Sequence, residues 1–131
     1  LSPTAPFSEG AAYDPTNRRP RKVMVLMTDG ENTLRFQASD GRHTAPNGNA
    51  TAQAAQLKQT YDDMNDICTY AKSKQIEVFT VAFDITAATA ITAMRNCASS
   101  PAHYFDARDR QGLADAFKAI ALSLQNVRIT Q

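Results

Sequence analysis

At 131 residues, 43% of them hydrophobic and 21% charged, the chain is long enough for one domain with a core, too short for two, and too apolar for a disordered segment. A formal net charge of +1 supplies no field that would gather polyanions, so nucleic-acid binding is not expected. No apolar run approaches the roughly 18 residues that a membrane helix needs, so no span is expected within this sequence.

Residues 1–22 hold four prolines and no sustained periodicity, and read as an irregular lead-in to a domain at 23–131. The first residue is Leu1, in a Pro/Ser/Thr-rich stretch rather than a signal peptide, which reads as a piece cut from a longer protein. The basic run Arg18-Arg19-Pro20-Arg21-Lys22 reads as a solvated flank of the strand that follows.

Val23-Met24-Val25-Leu26-Met27 is apolar at every position, the mark of a strand buried on both faces and hence central in a parallel sheet. It runs into Thr28-Asp29-Gly30-Glu31-Asn32, where a hydroxyl and a carboxylate flank a glycine, a combination that suits a hard divalent cation. From Gly30 to Asn49 the chain is polar and rich in turn residues, including Asp40-Gly41 and Asn47-Gly48, and reads as a long loop on the same rim.

Leu57, Tyr61, Met64, Cys68 and Ala71 then fall on one helical stripe, predicting a helix over 51–74. A β-rich segment at 76–83 is the second strand. A short helix follows, with Thr86 as its candidate N-cap and Ala90, Ile91 and Met94 facing inward. Ser99-Ser100-Pro101 breaks the chain before a brief third strand at 103–105. The last helix, 109–125, carries Leu113, Phe117, Ile120 and Leu124 on one stripe, and 127–130 reads as a final strand or a frayed tail.

The order is βαβαβα, the pattern of a Rossmann-like α/β fold with a mostly parallel sheet. Right-handed crossovers that advance in one direction put the two connecting helices on one face. The apolar first strand then needs a further neighbour, so the chain reads as the C-terminal half of a sheet whose other strands lie before Leu1; if the fragment folds alone, an edge or face is expected to be capped by the lead-in or by a second copy, a homo-oligomer.

Asp29, Asp84 and Asp106 each end a strand and share the carboxyl rim, where ligands of open α/β sheets bind. Asp84 and Asp106 also precede helices and are read as their N-caps. Cys68 and Cys97 fall on the two helices expected side by side, so they either form a disulfide, contributing about 3–4 kcal/mol, or remain two buried thiols. A disulfide implies an oxidising compartment. His43 and His103 have no ligand-spaced companions and read as solvated or hydrogen-bonded; nucleophile-elbow and phosphate-loop patterns are absent.

With its Thr28-Asp29-Gly30 turn, the helix ending Ala71-Lys72-Ser73-Lys74, and the strand Ile76-Glu77-Val78-Phe79-Thr80-Val81-Ala82-Phe83, the chain resembles the second half of a von Willebrand factor A (vWA) domain. Leu26-Met27-Thr28-Asp29-Gly30-Glu31-Asn32, Arg95-Asn96-Cys97-Ala98-Ser99-Ser100-Pro101 and Tyr104-Phe105-Asp106-Ala107 make it most similar to the C-terminal part of bacterial TadE/TadG-like proteins of tight-adherence (Flp-type) pilus assembly. The resemblance implies a three-layer vWA fold, here its C-terminal βαβαβα portion. It also implies a metal-dependent adhesion site holding Mg²⁺ or Mn²⁺ through an Asp-x-Ser-x-Ser loop, a middle-loop Thr and the aspartate at position 29. Only Asp29 of that set maps onto this sequence, so this fragment is expected to hold no metal by itself.

Two hypotheses follow. In the first, the chain is a non-enzymatic protein-binding module of a pilus-assembly protein in the bacterial cell envelope, anchored by a segment outside these residues. Thr28, Gly30, Glu31 and Asn32 then form the partner-binding rim around Asp29, and other pilus or adhesion proteins are its partners. In the second, strand-end aspartates hold Mg²⁺ in an α/β enzyme of phosphoryl transfer or hydrolysis.

Overall fold

A computed structural model describes residues 10–18 and 20–125; the expected strand or tail at 127–130 lies outside them. The strands are β1 (Val23–Thr28), β2 (Arg35–Gln37), β3 (Arg42–Thr44), β4 (Glu77–Phe83) and β5 (Tyr104–Ala107), and the helices are α1 (Ala50–Ser73), α2 (Ala88–Cys97) and α3 (Arg110–Gln125). β1, β4 and β5 form a three-stranded parallel sheet in that order, interleaved with helices, so the chain is an α/β protein.

Strand β4 is the centre of this sheet. Val78, Phe79, Thr80, Val81 and Ala82 are all buried, and the one polar side chain among them, Thr80, donates to the Met94 carbonyl at 3.0 Å, which satisfies it. On one face Val78 packs with Met24 and Leu26 of β1 against Cys68, Ala71 and Cys97 of α1 and α2. On the other, Phe79 and Val81 pack with Val23, Phe105 and Ala107 against Leu113, Ala116 and Ile120 of α3. Helices therefore cover both faces, and the two crossover helices α1 and α2 share one, as right-handed connections require.

Helix α1 is well terminated. Asn49 caps it, its side chain accepting from the Ala52 amide at 3.0 Å. At the other end Ile76 N–H reaches Ala71 O at 3.0 Å and Gln75 N–H reaches Lys72 O at 2.9 Å, the paired bonds of a Schellman motif. Gln75 occupies the left-handed position there at φ 58°, where glycine is the usual residue. Cys68 and Cys97 are joined by a disulfide across a Cα separation of 5.1 Å, tying α1 to α2.

Four sequence expectations are corrected. Among the described residues β1 is an edge strand paired only to β4, and not a central one; Val25 and Met27 remain 42% and 47% exposed. The segment expected as a long loop contains the antiparallel hairpin β2–β3, closed by a turn in which Gly41 takes φ +69° and its amide bonds Gln37 O at 2.9 Å. Neither Asp84 nor Thr86 caps α2: the cap position is Ala87, with no side-chain bond, and Asp84 sits exposed at φ 52°. Asp106 pairs with Arg108 at 2.7 Å, while α3 is capped by Asp109, which accepts from the Gly112 amide at 2.8 Å.

Candidate functional site

Of the rim residues, Asn32 is held from α1: its side chain donates to Thr60 Oγ1 at 2.8 Å and its amide donates to Tyr61 Oη at 3.1 Å. Thr28 does not present its hydroxyl beside the Asp29 carboxylate as a ligand pair. That hydroxyl instead donates to Gly30 O at 3.1 Å and accepts from Gly30 N–H at 3.4 Å, closing the turn on itself. Gly30 has no positive φ, and a Cβ added there meets nothing within 4 Å, so the turn does not depend on glycine. Asp29 and Glu31 are exposed and enter no ion pair among the described residues.

A cation site needs convergent donors, six for octahedral Mg²⁺. Among the described residues no group of three or more His, Cys, Asp or Glu side chains is placed to hold one. The sheet register explains part of this: Asp106 pairs with Ala82, level with Thr28, and is drawn off by Arg108. The three strand-end aspartates therefore share a rim without forming a site, and the described residues do not fit a Mg²⁺ or Mn²⁺ centre.

What the rim does border is a groove of about 650 Å³, open to solvent, between β1, the β2–β3 excursion and α1. Met24, Leu26, Leu34, Phe36, Met64 and Ile67 make its walls apolar, and Glu31, Asn32 and Asp63 line it as polar groups. Leu34, Phe36 and Ile67 are 46%, 51% and 64% exposed, an unusual concentration of large apolar side chains on one surface. His43, the partner of Phe36 across the hairpin, stacks tilted on its ring at 5.6 Å.

A second cluster lies at the opposite end of β4. Glu77 accepts from Arg21, and its other oxygen meets His103 Nε2 at 2.7 Å; His103 Nδ1 meets Ser100 Oγ at 2.5 Å, and its ring lies 4.4 Å from that of Phe79. Burial pushes the Glu77 carboxyl upward, but hydrogen bonds and charge from His103 and Arg21 outweigh it and hold the pKa below the usual glutamate value. The hydrogen-bond order is that of a serine–histidine–acid relay, yet Glu77 is shared with Arg21, whose remaining nitrogen donates to Ser123 O at 3.2 Å near the end of α3. This arrangement pins the lead-in, the turn before β5 and α3 onto β4. Arg21 and Lys22, read from sequence as solvated, are thus structural: Lys22 is 7% exposed, donates to Ala11 O and lies 4.3 Å from the Tyr13 ring centroid.

Sequence reasoning named Glu31 and Asn32 but missed the groove they border, because Leu34 and Phe36 sit in a stretch dominated by polar residues. The hairpin signal was present as Asp40-Gly41, whose glycine takes the left-handed position. No helix among the described residues is long and apolar enough to cross a membrane. Comparison with protein-family models, curated proteins and solved structures returns no match.

Proposed function

We propose that the chain is a non-enzymatic protein-binding module, the C-terminal half of a vWA-like domain in a tight-adherence pilus-assembly protein of the bacterial envelope. The observation that carries this reading is the open apolar groove beside the Asp29 turn. Its breadth and exposed Leu34, Phe36 and Ile67 suit a protein surface better than a small substrate, which is normally enclosed on most sides. Glu31 and Asn32 line its polar border, and Thr28, Asp29 and Gly30 precede them in the turn that completes the proposed partner-binding rim. The Cys68–Cys97 disulfide supports an oxidising location outside the cytoplasm, periplasmic or extracellular.

The resemblance would add Mg²⁺ or Mn²⁺ at Asp29, but the described residues lack the remaining donors, so no binding step is assigned to a metal here. Purified chain, tested by biolayer interferometry against the pilus-assembly proteins of its own bacterium, should bind at least one. Phe36→Asp and Ile67→Asp, both at exposed positions, should abolish that binding while the urea midpoint shows each variant still folded. Undiminished binding by both variants, or none by the unaltered chain, would reject the reading.

A further inference from the structure

In Asp29-Gly30, Asp40-Gly41 and Asn47-Gly48 a glycine follows a side chain that can cyclise onto its nitrogen. The glycine amides are held differently. Gly41 N–H donates to Gln37 O at 2.9 Å and Gly30 N–H to Thr28 Oγ1 at 3.4 Å, whereas Gly48 N–H has no hydrogen bond among the described residues. The side chains differ too, because the charge of a carboxylate repels an attacking nitrogen and a carboxamide carries no such charge. Asp40 is engaged as well, accepting from the Arg42 amide at 3.1 Å.

Asn47 is exposed and its carboxamide is unbonded among the described residues, while those of Asn17, Asn32, Asn49 and Asn65 each make a hydrogen bond. Asn96 is unbonded too, but it lies inside α2, where the amide that follows belongs to a helical ladder. The fold requires glycine at position 48. Its φ is +87°, and a Cβ there would stand 3.2 Å from that of Ala52. No side chain therefore shields the nitrogen beside Asn47.

We infer that Asn47 is a self-modifying site that deamidates by ring closure on Gly48, and that Gln56 of α1 restrains the reaction. The Gly48 nitrogen attacks the side-chain carbonyl carbon of Asn47, the new C–N bond closes a succinimide ring, and the bond from that carbon to the NH₂ group breaks. The proton of the Gly48 amide leaves with the NH₂ group as ammonia. Water then opens the ring at either carbonyl, giving aspartate or isoaspartate at position 47.

Ring closure turns the Asn47–Gly48 peptide about the Cα–C bond of Asn47. Gln56 opposes that turn by gripping Asn47 on both sides: its Oε1 accepts from Asn47 N–H at 3.1 Å, and its Nε2 donates to Asn47 O at 2.8 Å. Gln53 adds a bond to Gly48 O at 2.8 Å. Either product places a carboxylate just ahead of α1, whose first turn carries no acidic residue and whose dipole favours negative charge there. The fold accommodates the modified residue.

The test is incubation of the purified chain in mildly alkaline buffer, with samples digested by trypsin over time and read by electron-transfer mass spectrometry against a sample taken at the start. Cleavage after Arg42 and Lys58 releases one peptide that carries both Asn47 and Asn49, so the second asparagine is an internal control. Deamidation should accumulate at Asn47 and not at Asn49, with isoaspartate among the products, since only the ring route makes it. Gln56→Ala, which keeps a strong helix former in α1, should speed the reaction by about threefold to tenfold, the range that losing one or two ordinary hydrogen bonds allows. Its urea midpoint reports whether it is folded. An unmodified Asn47, aspartate without isoaspartate, equal modification at Asn49, or an unchanged rate in folded Gln56→Ala would overturn the inference.

Discussion

Strands β1 and β4 are neighbours of similar apolar character with different fates. β4 is sealed: five successive residues are buried, helices cover both faces, and its flanking carboxylate is clamped by Arg21 and His103. β1 shares one ladder with it, yet alternates between half-buried and exposed, and ends in an acidic turn with no ion pair among the described residues. Continuous apolarity thus states what environment a strand requires, while its place in the sheet decides what it receives. Where requirement and receipt differ, as along β1, apolar side chains such as Val25 and Met27 stay exposed among the described residues.

That contrast is broken most forcefully at its sealed side. Phe79 is 2% exposed and one of the largest fully buried side chains, so Phe79→Ala should lower stability by about 3–5 kcal/mol, read from the urea midpoint at unchanged slope. Val25→Ala, at the same level on the neighbouring strand, should cost about 1 kcal/mol or less in monomeric chain. Equal losses would mean that β1 is as buried in solution as β4.

The disulfide should rank next. Cys68 and Cys97 are 29 residues apart, and releasing the constraint on a loop of that size should cost about 3–4 kcal/mol in the chain-entropy model. Urea unfolding with and without a reductant able to reach the buried bond measures it. Because the bond joins α1 to α2 over β4, its loss should leave the exposure of Val25 and Met27 unchanged, which protection of β1 amides would report.

Glu77 joins the two regions, since it begins β4 and holds Arg21 just before β1. Glu77→Gln should cost about 1–3 kcal/mol, because the amide keeps one acceptor oxygen but replaces the other with a donor and removes the charge that Arg21 meets. The sign with pH follows from the depressed carboxyl. Its stabilisation is complete above the unfolded glutamate pKa of about 4.3 and is lost as pH falls through the lower folded value. The unaltered chain should therefore lose stability across that acid window faster than Glu77→Gln, and parallel pH profiles would remove the clamp from the account.

Much of this was legible beforehand. The three parallel strands, the shared face of the two crossover helices, and the stripe of Leu57, Tyr61, Met64, Cys68 and Ala71 follow from periodicity, which burial enforces. Three features were hidden. The clamp of Arg21, Glu77, His103 and Ser100 joins residues up to 82 positions apart, counting from His103 back to Arg21, and no local pattern encodes such an encounter. The groove depends on Leu34 and Phe36, two apolar residues in a segment whose polarity suggested only loop. The capping assignments failed because a carboxylate at a strand end can be claimed by a nearer cation, as Arg108 claims Asp106, leaving Asp109 to the helix.

The smallest expected effect is the most diagnostic. Asp29 is exposed, forms no ion pair among the described residues, and closes no part of the turn that Thr28 and Gly30 hold together. Asp29→Asn should therefore shift stability by no more than about 0.5 kcal/mol in the monomer. Binding should respond differently. If the rim turn is the polar border of a partner surface, the variant should weaken association by biolayer interferometry while its urea midpoint stays put, because the carboxylate serves a contact the isolated chain does not make. A loss of stability well beyond that figure would place Asp29 with the sealed half of the molecule, and an unchanged affinity would confine the partner surface to the apolar walls around Phe36 and Ile67.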